Sequence, residues 1–197
     1  MNPWLGKIAI LTGLVILIGM RIPHARRGRK VTVAERRTSI QETAFHVLLG
    51  IGYITGVLLP LLFIATPLLS FADYPPRRWA FASGLALLGS GLWLFYRSHS
   101  GLGTNWSVNL ELRENHQLVT SGIYKHIRNP MYAALLLYAV AQTLLLSNWI
   151  AGPCFLVQFT LMFILRLRGE ERMMSEKFGQ AYEEYARRTK RLIPGIW

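Results

Sequence analysis

Two short stretches of this 197-residue chain carry side chains able to do chemistry, and both are polar pieces set in an apolar sequence. In the later one, Arg166 and Glu170 stand four residues apart, which on a helix puts them on one face. Two readings fit that spacing. One is an ordinary surface pair worth about 0.2–0.5 kcal/mol, or an arginine snorkelling toward water. The other is an arginine that clamps a carboxylate beside a glutamate that binds a cationic group. In the earlier stretch, Arg128-Asn129-Pro130-Met131-Tyr132 reads as a helix start, because asparagine is a good N-cap and proline is tolerated at the first helical position. Here too two readings stand: a capped helix anchored at an interface by Arg128 and Tyr132, or free amide donors offered to a carboxylate.

Other chemistries are poorly supported. Five histidines and one cysteine show no ligand spacing to each other or to carboxylates, so no metal is expected. Cys154 lies in an apolar run beside Pro153, where a packing thiol is expected rather than a nucleophile. Gly101-x-Gly103 lacks the third glycine and the βαβ pattern of a dinucleotide site.

The elements that must position these residues are membrane spans. Hydrophobic residues make up 52% of the chain and charged residues 16%, which excludes a disordered chain and argues against an ordinary soluble domain. Five apolar blocks, 4–20, 43–72, 79–96, 131–146 and 149–165, approach the 17–25 residues that a bilayer core asks of a helix. The second is long enough to need a bend, for which Pro60 and Pro67 offer places. With the N-terminus outside, segments 21–45, 97–129 and 166–197 face inward and hold 19 of the 22 Lys and Arg. That asymmetry is the positive-inside pattern, so an all-α, five-span, N-out and C-in protein is expected. The basic cluster follows the first block rather than preceding it, which reads as an anchor and not a cleaved signal. The formal charge of +12 is then an attraction to anionic lipids at the inner face, and no nucleic-acid partner is expected.

Gly52 and Gly56 on the second block, and Gly84, Gly89 and Gly91 on the third, suggest close helix packing. Residues 98–104 read as a break, 105–128 as a polar segment with turns at Glu114-Asn115 and Ser121-Gly122, and 170–188 as one amphipathic helix with Met174, Phe178, Tyr182 and Tyr185 on its apolar face. Only Ser147 and Asn148 separate the fourth and fifth blocks, so these form a hairpin that returns residues 130 and 166 to the same membrane face. The chain divides into an N-terminal set of spans, 1–96, and a core, 97–197, that holds the chemistry.

Leu118-Val119-x-Ser121-Gly122-x-Tyr124, Arg128-x-Pro130-x-Tyr132, the apolar hairpin, Arg166, Glu170-Glu171, Phe178-Gly179-x-x-Tyr182-x-x-Tyr185 and Pro194 together resemble the isoprenylcysteine carboxyl methyltransferases. The resemblance covers roughly residues 95–197; related membrane methyltransferases of phospholipid amines or small thiols share parts of the pattern. It implies S-adenosyl-L-methionine as methyl donor, bound by Glu111, His116, Gln117, Leu118, Val119, Tyr124, Asn129, Pro130, Met131, Tyr132 and Glu170. It also implies that Arg166 faces an acceptor carboxylate, with Arg166 and Glu170 as the catalytic pair. The implied acceptor is a lipophilic, prenylated acid entering from the bilayer, with the active site on the cytoplasmic side of the inner membrane or endoplasmic reticulum. A phospholipid amine, a small thiol or a non-enzymatic scaffold are the alternatives. One departure stands out: the family usually reads Arg-His-Pro, and here Asn129 keeps the cap but loses the imidazole ring.

Overall fold

The protein is described from a computed structural model covering residues 1–28, 33–36, 40–102, 111–113 and 118–193, with side chains for 1–23, 43–102 and 118–193. It is built from α1 (Trp4–Gly28), α2 (Ile40–Tyr53), α3 (Leu59–Ala65), α4 (Arg78–Leu102), α5 (Pro130–Leu145), α6 (Cys154–Phe178) and α7 (Gln180–Arg188). The helical class expected from the apolar blocks is what forms. To it the fold adds a short antiparallel ribbon that the sequence did not announce, β1 (Val33–Arg36) on β2 (Glu111–Arg113). Among the described residues, three helical stretches are long and apolar enough to cross a bilayer: Trp4–Pro23, Thr43–Ala65 and Arg78–Leu102. Pro130–Leu145 is apolar but shorter, at 16 residues or about 24 Å. The block 149–165 is not helical from its start, since helix begins only at Cys154.

The second block bends where proline requires it. Pro60 has no N–H and its ring would crowd the carbonyl of Gly56 in a regular α-helix. The chain answers with a wider π turn over Ile54–Leu58, in which the N–H of Leu59 reaches back to the carbonyl of Ile54. Helix resumes as α3 and stops at Thr66, one residue before Pro67.

The largest helix contact is α4 against α5, and glycine sets its closeness. A Cβ on Gly91 would lie 3.1 Å from the Ala134 carbonyl oxygen, and one on Gly84 would lie 2.7 Å from Cγ of Leu145. Gly52 and Gly56 do the same for Gln158 and Phe155 of α6, whereas Gly89 faces nothing within 4 Å. Small residues here let backbones approach where water cannot drive association. One core joins Phe95, Ala134, Phe159, Phe163 and Leu167, and a second joins Ile10, Leu88, Tyr138, Ala141 and Leu145.

Three expectations about boundaries are corrected. The hairpin between α5 and α6 has a longer connection than two residues, because Asn148 organises a turn through 146–153. Its Oδ1 accepts from the N–H groups of Ile150 and Ala151, and its Nδ2 donates to the Leu69 carbonyl and to Asp73 Oδ1. Residues 98–102 are not a break but the last turns of α4; Ser98 and His99 are fully buried and turn their polar atoms back to the carbonyls of Leu94 and Phe95. Finally, 170–188 is not one helix. α6 runs unbroken from the apolar region to Phe178, and Gly179, at φ 52°, then turns the chain into α7.

Candidate active site

The hairpin brings both polar pieces together at one end of the bundle. Tyr132, on the first turn of α5, donates its hydroxyl to Oε1 of Glu170 on α6 at 2.8 Å. Arg166, one turn before Glu170, donates its Nε to the same oxygen at 2.6 Å. The Arg166 side chain is 6% exposed and that of Glu170 25%, so the pair straddles the boundary between interior and opening. The Arg166 guanidinium sits over the ring of Phe45 on α2, 3.5 Å from carbon to ring centroid. Phe163 and Phe159 pack beside the Tyr132 ring, at 5.1 and 6.2 Å between centroids. Spacing alone left Arg166 and Glu170 as either a surface pair or a clamp. They are a part-buried pair with a third polar group and an aromatic neighbour, which a surface pair has no need of.

A second ionic cluster adjoins the first. Arg128 donates through Nη2 to Glu171 at 2.9 Å and through Nη1 to the carbonyl of Ala186 at 2.8 Å. Arg191 meets the same carboxylate with two bonds, from Nε at 3.0 Å and Nη2 at 2.8 Å. Burial pushes the Glu171 carboxyl up, but the hydrogen bonds and charges of Arg191 and Arg128 outweigh it and hold the group below its ordinary value. Tyr182 beside this cluster is pushed up to about 12, first by burial and then by the Glu171 charge. Tyr185 is raised to a similar value, about 12, chiefly by burial.

The expected donor-binding residues, together with Arg166, expected at the acceptor, divide into four groups. Tyr132, Glu170 and Arg166 converge directly. Asn129, Pro130 and Met131 lie beside them at the start of α5, with Pro130 buried at the first helical position. Asn129 occupies the N-cap, but its side chain makes no cap bond, and among the described residues its Nδ2 has no hydrogen-bond partner although that atom is buried. Tyr124 is buried with its hydroxyl on the Ser98 carbonyl at 3.2 Å, so it joins the loop to α4. Leu118 and Val119 are half-buried at the start of that loop. His116 and Gln117 lie outside the described residues, as does the side chain of Glu111, whose backbone is in β2. Among the described residues, no group of three His, Cys, Asp or Glu comes together as a metal site. Phe45, Glu171 and Arg191 were not among the residues expected at the site. Their partners lie 20 or more residues away, and no local spacing carries such a contact.

Between α1, α2, α5 and α6, a cavity of about 360 Å³ adjoins the site. Its lining is mostly apolar, with Leu14, Leu135, Phe159 and Met162, and also includes Arg21 and Gln158; Met162 is one helical turn from Arg166.

Comparison with known proteins follows the same lines. A family model described as phospholipid methyltransferase matches residues 79–181. Protein-S-isoprenylcysteine O-methyltransferase B of Arabidopsis thaliana is 27% identical over 156 residues, covering 78% of this chain and 79% of that protein. The Homo sapiens protein-S-isoprenylcysteine O-methyltransferase is 29% identical over 120 residues, covering 60% of this chain and 42% of the relative. Among solved structures, a eukaryotic intramembrane Ras methyltransferase, an isoprenylcysteine carboxyl methyltransferase, superposes with a TM-score of 0.55 at 25% identity. That match covers 81% of this chain and 54% of the solved one. The matched region holds α4, the α5–α6 hairpin, Tyr132, Arg166 and Glu170, and the Arg128–Glu171 pair, while Arg191 lies beyond its end; on this match the chain belongs to the phospholipid methyltransferase family, with its likeness inside that family to the isoprenylcysteine carboxyl methyltransferases.

Proposed function

We propose that this protein is an integral-membrane methyltransferase that esterifies the carboxylate of a lipophilic acceptor, a C-terminal isoprenylcysteine or a close analogue, with S-adenosyl-L-methionine as donor. The observation that carries this reading is the meeting of Tyr132, Arg166 and Glu170 beside an apolar cavity, in a chain whose relatives bear that activity in their names. The site fits such a donor. Glu170 offers a carboxylate to an amino group, and Nδ2 of Asn129, a buried atom without a partner among the described residues, offers a hydrogen-bond donor. The start of α5 (Asn129, Pro130, Met131, Tyr132) and Glu170 would hold the donor, with Glu111, His116, Gln117, Leu118 and Val119 closing the site from the preceding segment. Tyr124, expected among the donor contacts, would act from its place against α4, where its hydroxyl donates to the Ser98 carbonyl.

When bound, the donor supplies a methyl group on a sulfonium, and transfer to a carboxylate oxygen forms a C–O bond as the C–S bond breaks, leaving a neutral thioether. The protein's own residues then have little proton chemistry to do. An acceptor carboxyl with an ordinary pKa near 4 is already ionised at neutral pH, so no general base is required. Arg166 orients that carboxylate, with its guanidinium held over the Phe45 ring. Positioning of this kind lowers a bimolecular barrier by about 7–11 kcal/mol in favourable cases. The cavity takes the acceptor's apolar tail.

The topology proposed with this mechanism has five spans, N-out and C-in, with 97–197 as the methyltransferase core and Phe45 contributed to it by the N-terminal spans. The basic inner segments then hold the active face against anionic cytoplasmic lipids, each basic residue near the surface adding about 1 kcal/mol. A second acceptor class is favoured by one finding, the phospholipid methyltransferase family model. A neutral amine needs no base for attack but must later lose a proton, and Glu170 is the carboxylate placed to take it. Transfer of radiolabelled methyl to N-acetyl-S-farnesylcysteine, phosphatidylethanolamine and a small thiol separates these readings. Base-labile label on the first acid alone supports the ester reading; label on the amine or thiol alone overturns it.

A further inference from the structure

Glu171 follows the glutamate of the site by one residue and serves different partners. Its two oxygens accept three hydrogen bonds, from Arg128 Nη2 and from Nε and Nη2 of Arg191. The chain beyond α7 lies alongside residues 127–129 in consequence. The N–H of Arg128 donates to the Lys190 carbonyl at 2.7 Å, and that of Asn129 to the Arg191 carbonyl at 3.0 Å. Ile127 and Lys190 form a parallel bridge, and both Ile127 and Leu192 are buried in the core that contains Phe163 and Leu167. Tyr185 adds a bond from its hydroxyl to the Tyr124 carbonyl at 2.7 Å. Residues 189–192 are thus a strap laid across the approach to α5.

We propose that Glu171 is a positioning residue of the methyltransferase: it ties this strap to Arg128 and so holds Asn129, Pro130, Met131 and Tyr132 in register with Glu170. The proposal rests on the methyltransferase reading for its effect on the donor, but not for the strap itself. The physical reason is charge. Arg128 and Arg191 approach one carboxylate from two sides, and charge-assisted bonds of this type are roughly twice as strong as neutral ones. Without the carboxylate, two guanidinium groups face each other at a part-buried position, and their repulsion pulls on a strap left with its backbone bonds, its apolar contacts and the Arg128 bonds to the Ala186 and Thr189 carbonyls. Where the strap is pulled open, the N–H groups of Arg128 and Asn129 lose their carbonyl partners, and the first turn of α5 loses its fixed height against α6. Pro130 cannot compensate, because it has no N–H of its own.

The test uses the full-length protein in lipid nanodiscs, as wild type, Glu171→Gln, Glu171→Asp and Arg191→Ala. Hydrogen exchange is followed at 127–129 and 189–192, with 155–167 of α6 as the reference, and S-adenosylhomocysteine affinity is measured by titration. Glu171→Gln is expected to speed exchange in both strap segments and to weaken binding about tenfold or more, as loss of charged hydrogen bonds implies, while 155–167 is unchanged. At saturating donor, kcat stays within about twofold of wild type, since the group acts through KM. Glu171→Asp, which keeps the charge, recovers part of both effects, and Arg191→Ala reproduces them in milder form. Unchanged strap exchange in the glutamine variant overturns the proposal. So does a loosened strap with unaltered affinity, which makes the cluster a structural tie only. If Glu171→Gln fails to fold, Arg191→Ala decides on the same readouts. If wild type binds no S-adenosylhomocysteine, the methyltransferase reading fails and the positioning role falls with it, while exchange still reports whether Glu171 holds the strap.

Discussion

The hydroxyl of Tyr132 and the carboxylate of Glu170, 38 residues apart in sequence, meet at 2.8 Å across the α5–α6 hairpin. Neither residue is remarkable alone: one begins an apolar helix and the other lies past the end of an apolar run. Their contact fixes the relative height of the two helices and makes the start of α5 one wall of the site. Because Arg166 donates to the same oxygen, three residues from two helices share a single acceptor atom.

Arg166 is the group assigned to the acceptor. Replacing it with alanine should lower kcat/KM for the acceptor acid at least about a hundredfold, the size expected when one partner of a buried charged contact is removed. Lysine should restore only a small part, because it lacks the planar fork that meets a carboxylate with two bonds. Steady-state kinetics with varied acceptor at saturating donor gives the answer, and unchanged kinetics in the alanine variant would remove Arg166 from the mechanism.

Phe45 should matter through Arg166 alone. Phe45→Leu keeps most of the apolar volume but removes the ring face, a loss of about 0.5–2 kcal/mol of cation–π attraction. The expected result is an acceptor KM raised several-fold with donor affinity unchanged. Equal effects on both substrates would mean that the ring merely fills space.

Much of this architecture was legible from residue types. The apolar blocks, the hairpin and the Arg-Asn-Pro start of α5 all follow from the cost of placing charges or unpaired backbone in lipid, which leaves few alternatives. Gly52, Gly56, Gly84 and Gly91 were readable as contacts for a similar reason, although Gly89, equally small, faces nothing. What the pattern did not carry was the continuation of α4 through Ser98 and His99. Polar residues look like a break until one sees that their side chains bond to carbonyls a turn earlier. Nor did it carry the division of 170–188 at Gly179, since the apolar face repeats across the turn. The Glu171 cluster joins residues 128, 171 and 191, and no periodicity links such distant positions.

The glycine contacts give a test of packing with its own control. Gly91→Val places a Cβ 3.1 Å from a backbone carbonyl oxygen that cannot rotate away, so the α4–α5 contact must open. A loss of about 1–3 kcal/mol is expected from such overpacking. Gly89→Val, with nothing within 4 Å, should leave thermal unfolding in detergent close to wild type. A matching loss in both variants would show that the α4–α5 contact is not responsible, since valine is the better helix former of the two residues.

The charge on Glu171 sets a pH dependence for the strap. Its carboxyl is held below its ordinary value in the folded protein, whereas on release it titrates near the ordinary value of about 4.3. The released form therefore takes up a proton first as pH falls, and the tie is weakened by acid. Its contribution is complete well above that value and is lost as pH falls through the lowered one. Arg191, raised by its bonds to Glu171, stays charged throughout, and Tyr182 and Tyr185, raised to about 12, stay neutral. Exchange at 189–192, corrected for the intrinsic rate, should thus be flat from neutral to mildly acidic pH and rise below about 4.3. The Glu171→Gln variant should lack that rise. A rise centred near neutral pH would point to another group.

The central claim is that Glu170, with the start of α5, forms the site of a methyl donor. It is tested most directly by titrating the purified protein with S-adenosylhomocysteine, beside a Glu170→Ala variant whose folding is verified by thermal unfolding. Saturable binding by wild type, weakened about tenfold or more in the variant, is the expected result for loss of a charged partner. Absence of binding by a folded, monodisperse wild type, or equal affinity in the two proteins, would contradict it.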